Sequence, residues 1–377
     1  MSQKAILDKL ARYRTVGARN SDQVLELGDR ALRGGSLGDQ EWAVREQVAI
    51  AALDLQRLDL AETQISTLQK KFPKSPRIAV LQGLKLEAQG DYDAAKNLYV
   101  ALLGLDGPEK GKGKAANSIW KGDTDETFIT AHQRLITLAL YQPLESSNVT
   151  INAFSNPTPQ HIARTVPLLV KYLDTFHTDA DGWSLLADLY LLLSGWDQLD
   201  GAYAKGQIVQ KYFPQAEMRE PVPAKGRGDQ YLQQAMTCLA HRMTLEPWDW
   251  MTMTRYGETA LMFGDVTMAY KTILRAVEMA TDPGDALIPE NMVEQTSESM
   301  SDLPGVLQLA GWKSRVWWDL KLCTTCLRRS DFEDAVPSLS PSAVEHVDAV
   351  DALVDQKLTE MLGAQALQVW SHAVGAA

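Results

Sequence analysis

Two short motifs in the chain have residue types that could do chemistry. The Gly-Lys-Gly-Lys run at 111–114 has the composition of a phosphate-binding loop, in which backbone N–H groups and a lysine hold phosphate oxygens. Its spacing does not fit, because Pro108 stands where a P-loop requires its first glycine. Ala115 also replaces the serine or threonine that would bind magnesium. The run therefore predicts a solvated connector, not a nucleotide site.

Cys323 and Cys326 have the spacing of a redox-active dithiol or of half a zinc site. A redox motif would need a βαβ context and a zinc site a second Cys or His pair, and the sequence supplies neither. The pattern favours two small apolar residues on one helix face. The six histidines show no ligand spacing, and HExxH and GxSxG motifs are absent. We therefore predict a protein that is not an enzyme and has no metal and no cofactor.

Composition indicates a folded chain of 377 residues, with 45% apolar and 23% charged residues. The net charge of −11 repels phosphate backbones and anionic headgroups, so we expect no nucleic acid partner. No run of about 18 apolar residues occurs, and the N-terminus lacks the apolar region of a signal peptide. The sequence predicts a protein without a transmembrane segment that serves any membrane from its aqueous side.

An internal repeat organises the chain. The segment from Arg45 to Pro73 aligns with the segment from Ala79 to Gly107 at a spacing of 34 residues, which is the tetratricopeptide (TPR) period. Small residues recur where the two helices of a pair must approach closely, and a large residue recurs on the second helix. The aligned positions are Ala49 with Gly83, Ala61 with Ala95, and Ile65 with Tyr99; Gly257, Ala269 and Ile273 continue them in a later copy.

We therefore predict an all-α protein, a TPR-type α-solenoid of antiparallel helix pairs with helical N- and C-terminal caps. A first helix containing Trp183 is expected to turn at Gly195-Trp196 before a delayed second helix. The predicted divisions are N-terminal capping helices at 1–40, the TPR array at 41–283 with insertions near 141–160 and 197–228, a linker at 284–304, and a C-terminal helical cap at 305–377. The tryptophans Trp312, Trp317 and Trp318 predict either core packing in that cap or interface anchors.

The first helix of each pair, helix A, would line a groove suited to a peptide or helix with apolar anchors and basic flanks. Some of its residues could instead pack against neighbouring A helices. The predicted groove residues are Glu46, Ile50, Leu53, Arg77, Val80, Leu84, Glu87, Asp188 and Glu258.

TPR adaptors for chaperone tails resemble one another in a Lys/Asn clamp that grips a carboxylate. At the clamp positions this chain has Glu46 and Ile50, followed by Val80 and Leu84. An acidic residue at the start of the clamp would repel a carboxylate, which disfavours a chaperone tail as the partner.

Several runs resemble a known family. The segments 18–24 and 46–54 are similar to the N-terminal third of subunit 2 of the endoplasmic reticulum (ER) membrane protein complex. So are Asp59-Leu60-Ala61, Lys71-Phe72-Pro73 and Tyr92-Asp93-Ala94-Ala95. A thinner similarity continues through Trp183, Leu186-Ala187 and Tyr256-Gly257-Glu258. The resemblance covers most of residues 10–283 and is specific in 45–73.

The resemblance implies a non-catalytic scaffold at the cytoplasmic face of the ER membrane. Its partners would be the membrane and soluble subunits of a complex that inserts transmembrane segments, including tail anchors. It would be peripheral to the membrane through protein contacts, organising cytosolic loops and tails of the membrane subunits. The alternative is a free-standing TPR adaptor or co-chaperone. The two insertions and the long, Trp-containing C-terminal region depart from the family, so the family's partner contacts are not carried over beyond about Thr281.

Overall fold

The computed structural model describes residues 2–35, 37–105, 122, 124–141, 157, 159–204, 227–281, 311–328, 341–363, 365 and 367–368. Across these ranges the secondary structure is helical. The Gly-Lys run at 111–114, most of both predicted insertions and the predicted linker at 284–304 lie outside the described residues. The helices are α1 (Gln3–Val16), α2 (Ser21–Arg33), α3 (Gln40–Asp54), α4 (Leu58–Lys71), α5 (Pro76–Ala88), α6 (Tyr92–Leu103), α7 (Ile129–Tyr141), α8 (Pro159–Thr175), α9 (Ala180–Ala204), α10 (Arg227–Leu245), α11 (Trp250–Phe263), α12 (Val266–Thr281), α13 (Gly311–Arg328) and α14 (Pro341–Leu362).

The chain divides into two compact units, Met1–Leu168 and Leu169–Ala377, with the division inside α8. In the first unit α1 to α7 pack each against the next along the chain, and α3 also packs against α5. Contact between consecutive helices, and between the first helices of adjacent pairs, is the arrangement of TPR units. The predicted fold class is confirmed, and α3 and α5 are A helices, with α4 and α6 as their second, or B, helices.

The small residues lie where the repeat predicts them. Gly83 on α5 faces Tyr99 on α6 so closely that a Cβ built on the glycine would lie 2.4 Å from the tyrosine ring. In the second unit Gly257 faces Ile273 in the same way, with a Cβ-to-Cγ1 distance of 2.4 Å. Ala95 on α6 is fully buried at the aligned position. Because no side chain fits at Gly83 or Gly257, the helices of these pairs approach more closely than any larger residue would permit.

The turn between helices A and B has the same two residues, glycine and aspartate, in two of the repeats. Gly90 takes a left-handed conformation (φ 82°), and the Asp91 carboxylate then accepts a hydrogen bond from the Ala94 N–H at 3.1 Å, capping α6. Gly264 (φ 97°) and Asp265 do the same at the start of α12. Glycine ends one helix and aspartate begins the next, so this dipeptide sets the reversal of the chain.

The second unit continues the same packing to the end of α14. Each helix from α9 to α14 packs against the next, and α11 also contacts α13. The C-terminal pair α13 and α14 therefore packs as a repeat would, although it lacks the repeat residues. Trp317 and Cys323 are buried in its core, Trp318 is half-buried, and burial raises the pKa of the Cys323 thiol. Of the two predicted roles, core packing is the one that Trp317 has. The side chain of Trp312 lies outside the described residues.

A buried charged cluster joins α13 to α14. The Lys321 amine donates to Asp351 Oδ1 at 2.9 Å, and the Thr324 hydroxyl donates to the same oxygen at 2.6 Å. Arg328 donates to the other Asp351 oxygen at 2.6 Å. Burial is the largest single effect on the pKa of Asp351, and it acts to raise it. The hydrogen bonds from Thr324 and Lys321 and the charges of Lys321 and Arg328 together outweigh burial, so the pKa is lowered. The carboxylate is therefore held ionised in the interior.

One predicted turn is wrong. Helix α9 continues to Ala204, through Gly195-Trp196 and into the segment expected to begin an insertion at 197. Apolar residues continue at helical spacing in Trp196, Leu199 and Tyr203, and one glycine inside a helix costs only about 1 kcal/mol relative to alanine. The other predicted domain boundaries remain predictions.

None of the helices in the described ranges has the length and apolar character needed to cross a bilayer. Within the same ranges, no cluster of His, Cys, Asp and Glu side chains is arranged to bind a metal ion.

Candidate partner-binding face

The predicted groove residues lie on the A helices, and their charged members form ion pairs between successive A helices. We call this surface the A-helix face; it is described for each unit separately, on α3, α5 and α7 in the first and on α9, α11 and α13 in the second. In each pair an acid on one A helix meets an arginine on the next. The pairs are Glu46 with Arg77, Glu87 with Arg134, Asp188 with Arg255, and Glu258 with Arg315.

The first pair connects α3 to α5. Arg77 Nε donates to Glu46 Oε1 at 2.5 Å. The Glu46 side chain is 17% exposed, whereas the Arg77 side chain is 73% exposed. Arg77 therefore covers the glutamate and presents most of its guanidinium to solvent, so that this part of the face is cationic on its outside.

The second pair is more deeply packed and includes a B helix. Arg134 on α7 donates to both oxygens of Glu87 on α5, with its Nε 3.1 Å from Oε1. The Tyr99 hydroxyl on α6 donates to the same Oε1 at 2.7 Å. Burial, followed by the Glu87 charge and hydrogen bond, raises the pKa of Tyr99. For Arg134 burial acts to lower the pKa, but the interactions with Glu87 outweigh it and the net pKa is raised. The triad is therefore a fixed ionic junction of three helices.

In the second unit Asp188 on α9 pairs with Arg255 on α11. Arg255 Nη1 also donates to the Ser184 hydroxyl at 2.7 Å, which holds the guanidinium against α9. The Asp188 side chain is 51% exposed. Even so, partial burial raises its pKa, against the effects of Arg255 and Arg242.

The last pair carries an additional carboxyl group. Arg315 on α13 donates two hydrogen bonds to Glu258 on α11, from Nε to Oε1 at 2.5 Å and from Nη2 to Oε2 at 2.7 Å. Asp319, one turn further along α13, lies within hydrogen-bonding reach of Glu258, and its Oδ2 is buried without a hydrogen-bond partner. Burial and the neighbouring Glu258 charge raise the pKa of Asp319 to about 8, despite Arg315. Near neutral pH Asp319 therefore holds a proton that it can donate to Glu258.

The apolar residues predicted to line the groove divide into two groups. Leu53 and Val80 are 7% and 4% exposed and belong to the core. Leu53 packs with residues of α4 and α5, and Val80 with residues of α6, so both are interior residues and not part of an open face. Ile50 and Leu84 are half-buried at the edge of the core and remain on the face. The apolar anchor positions are therefore reduced to these two.

The arginines that complete the pairs were not among the predicted residues, apart from Arg77. A signal was present in the repeat register. Glu46 aligns with position 80, and Arg77 stands three residues before it; Asp188 aligns with Glu258, and Arg255 stands three residues before that. In these two pairs the arginine therefore stands three residues before the position that aligns with the acid of the preceding A helix.

The A-helix face does not offer free carboxylates to a partner. Every predicted acid of the face is engaged by an arginine, so a partner with basic flanks would have to displace an existing cation. In the first unit the accessible groups are the outer face of Arg77 and the edges of Ile50 and Leu84. In the second unit they are the outer face of Arg315 and the half-exposed Asp188. The set in the first unit fits a segment with apolar anchors and polar or carboxylate-bearing flanks.

The helix pairs and their A-helix face define the chain as a TPR-type helical repeat protein. It matches none of the protein-family models. Solved structures with similar helix pairs include the C-terminal part of a TPR repeat-containing protein from Cytophaga hutchinsonii (11% identity, covering 88% of this chain and 100% of that one, TM-score 0.40). A TPR protein from Parabacteroides merdae is similar at 12% identity (93% and 98%, TM-score 0.33).

Curated relatives bear out the family resemblance found in the sequence. ER membrane protein complex subunit 2-B of Xenopus laevis is 26% identical over 309 residues, covering 81% of this chain and 86% of that protein. ER membrane protein complex subunit 2 of Xenopus tropicalis is 30% identical over 186 residues, covering 49% of this chain, so the match spans about half (50%) of that relative's length. The TPR repeat protein oca3 of Schizosaccharomyces pombe is 26% identical over 180 residues, covering 48% and 51% of the two chains.

Proposed function

We propose that this chain is a scaffold subunit of an ER membrane protein complex and that its A-helix face holds segments of partner subunits. The proposal places it at the cytoplasmic face of the ER membrane, without a catalytic role, where it organises cytosolic loops and tails of subunits that insert transmembrane segments. The observation that carries the proposal is the similarity to ER membrane protein complex subunit 2-B across 81% of the chain.

The packing of the molecule is compatible with such a role. Four ion pairs link successive A helices and fix the spacing of the residues between them. A surface that is held rigid before binding loses little conformational freedom when a segment docks on it. Ile50 and Leu84, at aligned positions on α3 and α5, would supply apolar contacts, and Arg77 a cationic edge.

The deciding experiment is affinity capture of the tagged chain from detergent-solubilised membranes, followed by identification of the proteins recovered. Membrane subunits of the complex, recovered in fixed proportion to the chain, are the expected result. Recovery of soluble chaperones alone, together with a large unassociated pool on fractionation, would instead identify a free-standing TPR adaptor and refute the proposal.

The role of the face is tested separately with Arg77→Glu. This change places a second carboxylate beside Glu46 but alters a residue that is 73% exposed, so the helices should remain folded. Arg275→Glu is the matched control, since Arg275 is 63% exposed in α12 and pairs with Glu278 on its own helix. We expect partner recovery to fall several-fold in the first variant and to stay unchanged in the control. Equal recovery from both would exclude this part of the face from binding.

A further inference from the structure

A basic and aromatic segment lies between α4 and α5, and none of its residues takes part in the A-helix ion pairs. It consists of residues 70–74, Lys70-Lys71-Phe72-Pro73-Lys74, and we call it the α4–α5 loop patch. All five residues are exposed. It begins in the last turn of α4 and ends two residues before α5, so it forms the connection between the two helices.

The lysines of this patch have no carboxylate within ion-pair distance among the residues that the structure describes. In contrast, the arginines around it are engaged: Arg77 binds Glu46, and Arg45 binds Glu41 and Gln64. The amines of the α4–α5 loop patch are therefore available positive charge in a protein whose net charge is −11.

The aromatic residues of the patch are arranged around one of these amines. The ring of Phe72 meets the ring of Trp42 edge-on, with centroids 5.5 Å apart and planes at 86°. The Lys71 Nζ also lies over Trp42, 5.5 Å from the centroid of its ring. The residue Phe72 nevertheless remains 36% exposed. Trp42 thus supports a phenylalanine and a lysine that both point toward solvent.

We propose that the α4–α5 loop patch contacts the anionic headgroups of a lipid bilayer directly. Lysines attract the negative surface of a membrane, and an exposed aromatic ring inserts at the headgroup level. Three exposed lysines beside an exposed aromatic ring suit a lipid surface better than an acidic peptide, which would engage the positive charges without needing the ring. This goes beyond the proposed scaffold role, which requires contact with the membrane only through other subunits.

The negative net charge of the whole chain does not prevent such contact. At physiological ionic strength the Debye length is about 8 Å, so only charges at the surface facing the bilayer interact strongly with it. Lys70 and Lys71 lie in the last turn of α4, where positive charge interacts favourably with the helix dipole. Their presence there therefore needs no ligand to explain it. The dipole does not account for Lys74, which follows the helix, or for the exposed Phe72.

The test is co-sedimentation of the purified full chain with phosphatidylcholine vesicles that contain phosphatidylserine, compared with pure phosphatidylcholine vesicles. We expect binding only to the anionic vesicles, and we expect salt to weaken it. Replacing Lys70, Lys71 and Lys74 together by glutamine should reduce the partition coefficient by about a hundredfold, given about fivefold per lysine near an anionic surface. Phe72→Ser should also reduce it, whereas replacing the three lysines by arginine should preserve it.

The matched control is the replacement of Lys96, Lys171 and Lys271 by glutamine. These lysines are exposed on other helices, and both triple variants change the net charge from −11 to −14. Thermal melts of each variant verify folding. Equal loss in the control, equal binding to neutral vesicles, or binding of polyglutamate at the patch without vesicle binding would overturn the proposal. Because the assay contains no other subunit, its failure leaves the scaffold proposal to be judged by affinity capture.

Discussion

The Tyr99 hydroxyl on α6 donates a 2.7 Å hydrogen bond to the Glu87 carboxylate on α5, which also receives Arg134 from α7. One carboxylate thus holds a B helix, its own A helix and the next A helix in register. The same tyrosine ring packs against Gly83, where the repeat requires a small residue. The junction that orders the first unit and the face offered to partners therefore share a residue, Glu87.

We predict that Tyr99→Phe destabilises the first unit by about 1.5–3 kcal/mol, because it removes one hydrogen bond to a largely buried carboxylate and leaves Glu87 with those from Arg134 alone. The ring, and hence its packing against Gly83, is retained. The free energy of unfolding from urea titration measures the loss. Tyr141→Phe, at a tyrosine that is 57% exposed, is the control and should change stability by less than about 0.5 kcal/mol. Equal stability of the two variants would mean that the triad contributes nothing.

The turn after α3 stores strain that its repeat partner avoids. Gln56 has φ 57°, and it is the aligned counterpart of Gly90, which has φ 82°. A left-handed conformation costs a residue with a Cβ about 1–2 kcal/mol, partly offset by the smaller conformational entropy of its unfolded state. Gln56→Gly should therefore stabilise the protein by about 0.5–1 kcal/mol, and Gly90→Gln should destabilise it by a similar amount. Thermal melts of the two variants should shift in opposite directions, and shifts in the same direction would refute the strain.

Much of the repeat architecture could be predicted from sequence, because close helix approach demands particular residues. Gly83 with Tyr99 and Gly257 with Ile273 are steric requirements, and their 34-residue register is visible without a structure. The turn at Gly195-Trp196 was wrongly predicted because one glycine is a weak helix breaker when apolar spacing continues beyond it.

The candidate face was less predictable than the fold. The register identifies which residues lie on A helices, but Leu53 and Val80 turned out to be buried because each turn of an A helix also packs against the neighbouring B helix. The arginines opposite the acids depend on how successive A helices are offset. That offset is a tertiary property. The ion pairs are what reveal that Arg77 and Arg255 stand three residues before the positions that align with Glu46 and Asp188.

The buried cluster of the C-terminal helix pair leads to a prediction about its stability. Lys321→Met removes the amine from Asp351 and leaves that buried carboxylate with fewer cationic partners. Removal of one partner from a buried pair costs about 3–5 kcal/mol, and we expect a value near the lower limit because Thr324 and Arg328 remain. Hydrogen exchange across α13 and α14 should accelerate. Lys357→Met, which breaks an exposed pair with Glu360, is the control, and matching exchange rates in the two variants would contradict the prediction.

The carboxyl pair on the face of the second unit predicts a specific pH dependence. The pKa of Asp319 in the folded protein is raised to about 8 by burial and by Glu258, whereas the unfolded chain has the ordinary value of 3.8. Between these two pH values the folded state retains a proton that the unfolded state has lost. Raising the pH across this window therefore removes stability from the wild-type protein, and no further loss from this group occurs above about pH 8.

Asp319→Asn eliminates that titration while keeping a group that can donate to Glu258. The melting temperature of the variant minus that of the wild type should consequently rise as the pH increases from 4 to 8 and then level off. Asp174→Asn, at an exposed carboxyl group of α8, is the control for loss of one negative charge. A difference that stays flat or falls over this range would show that Asp319 is ionised at neutral pH. In that case Arg315 would have to neutralise two carboxylates, Glu258 and Asp319, and reversing its charge would destabilise the α11–α13 contact more strongly than it would with a protonated Asp319.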